Sequence, residues 1–189
     1  MDRQNVFKVV FCGNTQAGKT SIISRYCSGR FDQLIHPTIA ADFISHTLYS
    51  GEHEVKIHIW DTAGQEVYQA LSALYFRSTV LAVVVYDLTS STALTEVQSW
   101  TERMLEAEKN AIIYVLGNKT DLVSQEPTEV LDWCKQHGYT HFFCSAKTGH
   151  NINEVFKSIA DTLSTTFPPQ PSKAVILEPI SPAKSNSCC

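Results

Sequence analysis

The sequence lacks the features of a membrane span, of a signal peptide and of an N-myristoylation site. It has no apolar run that approaches the roughly 18 residues of a membrane span, and residues 1–5 lack the continuous apolar stretch of a signal peptide. N-myristoylation requires a glycine directly after the initiator methionine, and Asp2 stands there instead. We therefore expect a chain that is made in the cytosol, where its six cysteines remain reduced thiols.

Positive charge is also scarce, and the length limits the number of domains. The chain has 15 Lys and Arg against 19 Asp and Glu, a formal net charge of −4, so a nucleic-acid partner is not expected. There is no internal repeat. The 189 residues suit one domain of about 165 residues and a tail, and such a domain forms a core without disulfides.

Four residues have a spacing that resembles a zinc site. They are Cys134, His137, His141 and Cys144. The first two close a predicted helix and the last ends a predicted strand. We therefore interpret all four as ordinary core and helix-end residues.

A glycine-rich loop is the first motif with a clear chemistry. Residues 13–20 read Gly-Asn-Thr-Gln-Ala-Gly-Lys-Thr, between the apolar run Val6–Cys12 and a helical pattern over residues 20–28. Between a strand and a helix, such a loop points successive backbone N–H groups inward and binds phosphate. Lys19 is then expected at the β- and γ-phosphates, and the Thr20 hydroxyl at Mg²⁺. The predicted nucleotide-binding residues here are Gly13, Gln16, Ala17, Gly18, Lys19, Thr20 and Ser21.

A second motif predicts which base is bound. Asn118, Lys119, Thr120 and Asp121 follow the apolar run 112–117, so they stand at the carboxyl end of a predicted strand, where open α/β sheets bind ligands. An aspartate there can accept hydrogen bonds from guanine N1–H and its exocyclic amine, a donor pair that adenine lacks. We assign Asn118, Lys119 and Asp121 to the nucleotide. With the glycine-rich loop they indicate GTP and GDP.

Two shorter segments also follow predicted strands. Residues 61–66 read Asp-Thr-Ala-Gly-Gln-Glu, which would let Asp61 hold Mg²⁺ through a water and the Gly64 N–H reach the γ-phosphate. The other segment is expected to close over the base, and it consists of Ser145, Ala146 and Lys147.

These four motifs, in this order and spacing, resemble those of Ras-superfamily small GTPases, and the terminal cysteine pair makes the chain similar to the Rab family. The likeness covers roughly residues 6–167. It implies the α/β fold of a small G-domain and slow GTP hydrolysis that a partner activates with an arginine finger. It also implies that Gln65 orients the attacking water, that Thr38 reaches Mg²⁺ and the γ-phosphate, and that Phe31 lies against guanine. Segments at about 32–43 and 62–77 would then relax when the γ-phosphate is lost.

The chain departs from this family at several positions. Thr15 and Gln16 stand where Ras has two glycines, and the bulky Gln16 is expected to affect hydrolysis rather than binding. Residues 39–43 and 75–78 depart from the Rab pattern, whereas residues 56–60 keep it. We consider a GTP-hydrolysing membrane-traffic switch and, as the alternative, a GTP-dependent binding module with little intrinsic hydrolysis. A P-loop phosphotransferase for a small molecule fits less well, because it would need a different base reader.

The apolar pattern predicts a six-stranded, mostly parallel, doubly wound sheet with helices on both faces. The runs are Val6–Cys12, 81–86, 112–117 and 141–144 for parallel strands, and 42–50 with 55–60 for a hairpin around Gly51 and Glu52. The expected order is β-α-β-β-α-β-α-β-α-β-α. Asn151 and Glu154 form a predicted capping pair for the last helix, and Pro127 suits the start of the helix before it.

The chain is predicted to divide into a GTP-binding domain, residues 1–167, and a flexible tail rich in proline and serine, residues 168–189. By the Rab resemblance, Cys188 and Cys189 carry a double geranylgeranyl anchor, because one lipid holds a protein marginally and two hold it stably. The apolar segment 174–177 could act as a weak tether. The expected location is the cytosol and the cytoplasmic face of an endomembrane, with the organelle and the Rab subfamily left open.

The resemblance also implies protein partners. They are an exchange factor, a GTPase-activating protein, an escort or GDI-like chaperone, and effectors. Phe43, Trp60 and Tyr75 match an aromatic triad that Rabs present to effectors, at or beside the switch segments. The competing interpretation is that these aromatics fill the core, as aromatics that flank strands usually do.

Overall fold

The structure is a computed structural model that describes residues 6–32, 42–62 and 74–168. Its strands are β1 (Val6–Cys12), β2 (Asp42–Ser50), β3 (His53–Asp61), β4 (Leu81–Asp87), β5 (Ile112–Asn118) and β6 (Thr140–Phe143). The α-helices bounded within these ranges are α1 (Lys19–Ser28), α2 (Ala93–Ala107), α3 (Glu129–His137) and α4 (Ile152–Thr166), with a 3₁₀ turn at Thr120–Leu122. The helix predicted between β3 and β4 falls largely outside the described residues.

The strands form one six-stranded sheet in the order β2-β3-β1-β4-β5-β6. β1 pairs in parallel with β3 and β4, and β5 pairs in parallel with β4 and β6. β2 runs antiparallel to β3, and the chain turns between them at Gly51 and Glu52. The predicted mostly parallel sheet with one hairpin strand is confirmed.

Helices cover both faces of the sheet and bury its side chains in two apolar clusters. Along β4 the side chains alternate between the clusters: Leu81, Val83 and Val85 pack toward α1 and α4, whereas Ala82, Val84 and Tyr86 pack toward α2 and α3. A strand that is buried on both faces needs an almost continuous apolar sequence. Polar side chains are therefore expected at the strand ends, where the predicted site residues also lie.

The predicted capping pair at the start of α4 is wrong. Asn151 is the N-cap of this helix, but it has a left-handed φ of 56° and its side chain makes no capping hydrogen bond. Asparagine tolerates this conformation, which leaves its amide free to donate to the Phe143 carbonyl oxygen at 2.8 Å. The side chain thus ties α4 to the end of β6 rather than to Glu154. Pro127 immediately precedes Thr128, the N-cap of α3.

The four residues with zinc-like spacing do not converge. Cys134 packs in the cluster beneath α3, and Cys144 packs in the cluster on the opposite face of the sheet. His137 Nδ1 lies 2.9 Å from the Trp133 carbonyl oxygen. His141 belongs to a separate contact with the core through Tyr86. Within the ranges that the structure covers, no group of three or more potential metal ligands occurs.

Candidate nucleotide-binding site

The loop between β1 and α1 holds a buried positive charge. Lys19 is 5% exposed, and its ammonium group donates to the carbonyl oxygens of Gly13 and Asn14 at 2.8 and 3.1 Å. Burial lowers the pKa of Lys19, whereas nearby Asp61 and Cys12 act to raise it. Because a buried charge that contacts neutral acceptors is costly, a phosphate bound beside this ammonium would be strongly favoured.

Close packing requires two glycines in this loop. Gly13 has a φ of 136°, and a Cβ there would lie 2.0 Å from the Val85 carbonyl oxygen at the end of β4. Gly18 has a φ of 95°, and a Cβ there would lie 2.2 Å from the Asn118 amide nitrogen. This glycine-rich loop, the predicted phosphate loop, therefore lies directly against β4 and β5 near their carboxyl ends. Gln16, which is exposed, also takes a left-handed φ of 66°, a conformation that costs about 1–2 kcal/mol for a residue with a side chain.

A hydroxyl and a carboxylate meet beside the phosphate loop. Thr20 Oγ1, in the first turn of α1, donates to Asp61 Oδ2 at the end of β3, 2.5 Å away. Mg²⁺ prefers oxygen ligands of these kinds, so the pair fits the predicted magnesium site. Three other predicted residues, Thr38, Gly64 and Gln65, lie outside the described residues.

Asn118 joins the two halves of the site. Its side chain is buried, its amide nitrogen donates to the Ala17 carbonyl oxygen at 2.8 Å, and its amide oxygen accepts from the Ala146 N–H at 3.0 Å. Both ends of one side chain are therefore used, one on the phosphate loop and the other on the segment predicted to close over the base. Three of the four motifs read from the sequence meet at this residue.

Asp121 and the base-closing loop, residues 145–147, contact each other directly. The Ser145 hydroxyl donates to Asp121 Oδ1 at 2.6 Å, and the Lys147 ammonium lies 3.7 Å from Oδ2. Lys119 pairs with Asp87 at 2.6 Å. Burial by itself would raise the pKa of Asp87, but hydrogen bonds, chiefly from Lys119, hold that pKa below its ordinary value. The predicted base readers are thus oriented by other polar side chains.

Two polar side chains that were not predicted from the sequence donate hydrogen bonds to the loops of this site. Trp100 Nε1 of α2 donates to Asn14 Oδ1 in the phosphate loop at 2.7 Å. Arg25 of α1 donates from Nε to the Ala146 carbonyl oxygen at 2.7 Å. Arg25 lies three positions after the buried Ile22, on the helix face that turns inward. A polar group on such a face needs a partner, and that was the signal available in the sequence.

The remaining nucleotide-binding predictions concern α1 and the residues that follow it. Ser21 lies in the first turn of α1, after the phosphate loop. Phe31 is partly buried against the core beyond the end of that helix.

The predicted aromatic triad forms a continuous row. The ring centroids of Phe43 and Trp60 are 5.6 Å apart, and those of Trp60 and Tyr75 are 6.1 Å apart. Phe43 is 50% exposed, whereas the other two pack partly against the core. The Lys8 ammonium lies 4.6 Å from the centroid of the Trp60 ring. Phe43 is therefore the exposed end of the row, and Trp60 and Tyr75 are held by packing against the core.

Comparison with known proteins identifies the family. A family model described as Ras family matches residues 8–165. The Ras-related protein Rab5 of Nicotiana tabacum is 34% identical over 188 residues, which cover 96% of this chain and 94% of the relative. The Ras-related protein Rab5A of Oryza sativa subsp. japonica is 36% identical over 190 residues, with the same coverage. The chain therefore belongs to the Ras family and is a Rab-type small GTPase, which hydrolyses GTP and regulates vesicle traffic.

Proposed function

We propose that this GTPase binds GTP and GDP, with Mg²⁺, at the carboxyl edge of the sheet where its motifs meet. The Asn118 side chain carries the proposal, because its hydrogen bonds hold the phosphate loop at Ala17 and the base-closing loop at Ala146. Two loops with different recognition chemistry thereby become one site. A nucleotide has its phosphates and its base at opposite ends, and it matches that arrangement.

Each end has its own chemistry. Backbone N–H groups around Gly13 and Gly18 and the Lys19 ammonium bind the phosphates. Asp121 accepts from the guanine N1–H and amine, and Ser145 orients its carboxylate. Thr20 and Asp61 would hold Mg²⁺ on the phosphate side, Asp61 through a water. The ion, when bound, neutralises phosphate charge.

Hydrolysis and switching rest on residues that follow β3 and precede β2. Gln65 orients the attacking water, and Thr38 and Gly64 respond to the γ-phosphate. An exchange factor, a GTPase-activating protein, an escort or GDI-like chaperone and effectors would act on the two resulting states. The relatives do not favour the alternative of a binding module that hardly hydrolyses GTP.

Nucleotide competition tests the proposal. Purified protein is loaded with fluorescent GDP, and unlabelled GDP, GTP, ADP and ATP compete for it with and without Mg²⁺. Because the adenine edge leaves Asp121 without its donor pair, guanine nucleotides should compete at least about a hundredfold more strongly. Release of phosphate from bound GTP measures hydrolysis in the same sample. Equal competition by ADP would refute the assignment of the base end.

The aromatic row Phe43–Trp60–Tyr75 is proposed as the effector surface. Phe43 is exposed and Trp60 and Tyr75 pack partly against the core, so the shape of this surface can change with the conformation of the switch segments. Truncation of an aromatic residue at the centre of an interface often costs about 2 kcal/mol of binding. Trp60→Ala should then abolish GTP-dependent partner capture, with little change in melting temperature. A core role would instead lower the melting temperature by several degrees. A destabilised protein that still captures its partners would refute the effector role.

The tail, residues 168–189, is proposed to carry the membrane anchor on Cys188 and Cys189. No helix in the described ranges is long and apolar enough to cross a bilayer. Replacing one of the two cysteines with serine should weaken membrane association, and replacing both should leave the protein in the cytosolic fraction. Membrane retention of the double variant would point to the apolar segment 174–177 instead. Imaging of the tagged full chain would then identify the endomembrane.

A further inference from the structure

The guanidinium group of Arg25 reaches from α1 to the base-closing loop. Its Nε donates to the Ala146 carbonyl oxygen at 2.7 Å, and one terminal nitrogen donates to the Lys147 carbonyl oxygen. The other terminal nitrogen donates to the Gly29 carbonyl oxygen just beyond the helix, at 2.9 Å. The planar fork of a guanidinium suits several acceptors at fixed angles. One side chain therefore joins two segments that are 121 residues apart in sequence.

The base-closing loop is also held by Asn118 and Asp121, the residues proposed to recognise the base. Its Ala146 N–H donates to Asn118, and its Ser145 hydroxyl donates to Asp121. Among the described side chains, Arg25 is the one that donates to main-chain carbonyl oxygens of this loop, those of Ala146 and Lys147. Without Arg25, the remaining hydrogen bonds of the loop would come from Asn118, Asp121 and the loop's own backbone.

Arg25 also lies on the helix that begins at the proposed phosphate site. α1 has 10 residues and starts with Lys19 and Thr20, so its two ends are about 15 Å apart. The ring of Phe31, predicted to lie against guanine, is 6.0 Å from the Arg25 guanidinium carbon. The helix thus has phosphate ligands at one end and the support of the base loop near the other.

We propose that Arg25 is a positioning residue that holds the base-closing loop through its main-chain carbonyl oxygens and so sets how slowly bound nucleotide leaves. The inference rests on the proposed nucleotide site. The hydrogen bonds from Arg25 go to main-chain carbonyl oxygens, so it should act equally on GDP and GTP. It acts at the base end, so its effect is independent of Mg²⁺, which acts at the phosphate end.

Release of fluorescent GDP and GTP from the full chain tests this, in Mg²⁺ and in EDTA. Three hydrogen bonds from a charged donor are lost in Arg25→Ala, so release should be at least about tenfold faster. Arg25→Lys keeps the charge but not the fork, and a smaller acceleration is expected. The same factor should appear in EDTA for both nucleotides. Arg30→Ala, which removes an exposed arginine nearby, should change release less than twofold.

A second measurement separates positioning from general destabilisation. In GDP-loaded Arg25→Lys, amide hydrogen exchange should speed up around residues 145–149 and stay unchanged in β4, with the same melting temperature at saturating GDP. Unchanged release, an acceleration that disappears in EDTA, or faster exchange throughout the core would each overturn the proposal. If wild-type protein does not retain GDP at all, the proposed nucleotide site itself fails. If only Arg25→Ala fails to fold, Arg25→Lys decides the question.

Discussion

The proposed phosphate end and the proposed base end of the site depend on different parts of the chain. The phosphate loop depends on the backbone: glycines lie against the strand ends, and Gly13 would place a Cβ 2.0 Å from a carbonyl oxygen. The base end depends on side chains, with Asn118, Asp121 and Ser145 linked to one another or to backbone groups. A substitution at the phosphate end is therefore expected to cause a steric clash and a large loss of binding. A substitution at the base end should remove one hydrogen bond and cause a smaller loss.

The largest effect is expected from Gly13→Ala, which would break the phosphate end. The added methyl group overlaps the Val85 carbonyl oxygen, so either the loop or the end of β4 has to move. We expect nucleotide affinity to fall more than about a hundredfold and the melting temperature to fall by several degrees. Titration with fluorescent GDP and thermal melts measure both.

Gly138→Ala is the matched control. Gly138 also has a positive φ, 70°, but a Cβ there meets no atom within 4 Å. It should cost about 1–2 kcal/mol of stability through backbone strain alone, with GDP affinity unchanged. If Gly13→Ala behaves like this control, the phosphate end is more adaptable than its packing indicates.

The next largest effect is expected from Asp121→Asn, at the base end. The amide loses one acceptor for guanine and gains a donor for the extra carbonyl of xanthine. GTP affinity should fall by about two orders of magnitude while affinity for XTP rises. Competition of labelled GTP by XTP measures the change, and Asp132→Asn, in an exposed ion pair with Lys135, is the control. An unchanged preference for GTP would remove Asp121 from the base-reading role.

A smaller effect, confined to one step, is expected from Gln65→Leu. Gln65 is proposed to act on the attacking water and not on the bound phosphates, so hydrolysis should slow by roughly ten- to a hundredfold. Affinities for GTP and GDP should stay within a few-fold, because the base end is untouched. Phosphate release beside a binding titration separates the two. Equal rates in variant and wild type would revive the alternative of a module that hardly hydrolyses.

The smallest effect is expected from Gln16→Gly, in the same loop as Gly13. Glycine removes the strain of a left-handed φ at this position but adds flexibility to the unfolded chain, so stability should change by about 1 kcal/mol or less. Nucleotide affinity should hold, since the loop keeps its shape. A change in intrinsic hydrolysis would show that the Gln16 side chain affects the approach of water. No change in the rate would make Gln16 a tolerated departure from the family.

The sequence predicted the fold well, because the fold follows from short-range patterns. The predicted site residues that the structure describes lie at the carboxyl edge of the sheet, and their role in nucleotide binding stays a prediction. The strands of a doubly wound sheet are continuous apolar runs, and the motifs follow their carboxyl ends. The contacts of Arg25 and Trp100 were not predictable in this way. Each depends on a partner brought close only by tertiary packing, Ala146 for the arginine and Asn14 for the tryptophan.

At Asn151 the sequence predicted a contact that the structure does not have. Its position before α4 and the glutamate three residues later match a capping pair, yet the backbone there is left-handed and the side chain bonds to β6. A local pattern predicts local partners, and here a tertiary acceptor took precedence. The roles of Thr38, Gly64 and Gln65 stay predictions of the family resemblance, since those residues lie outside the described ranges.

The hydrogen bonds of the Asn118 side chain link the assembly of the site to the folding and stability of the whole domain. Its partners are 101 residues earlier and 28 residues later in the chain, so the site is incomplete until β1, β5 and the segment after β6 have all docked. A partly folded chain lacks this assembled site, so bound nucleotide is expected to stabilise the whole domain by mass action. At a thousandfold excess over its dissociation constant, the ligand adds about 4 kcal/mol to the free energy of unfolding. We therefore expect nucleotide supply to affect the lifetime of the folded protein as well as its switching.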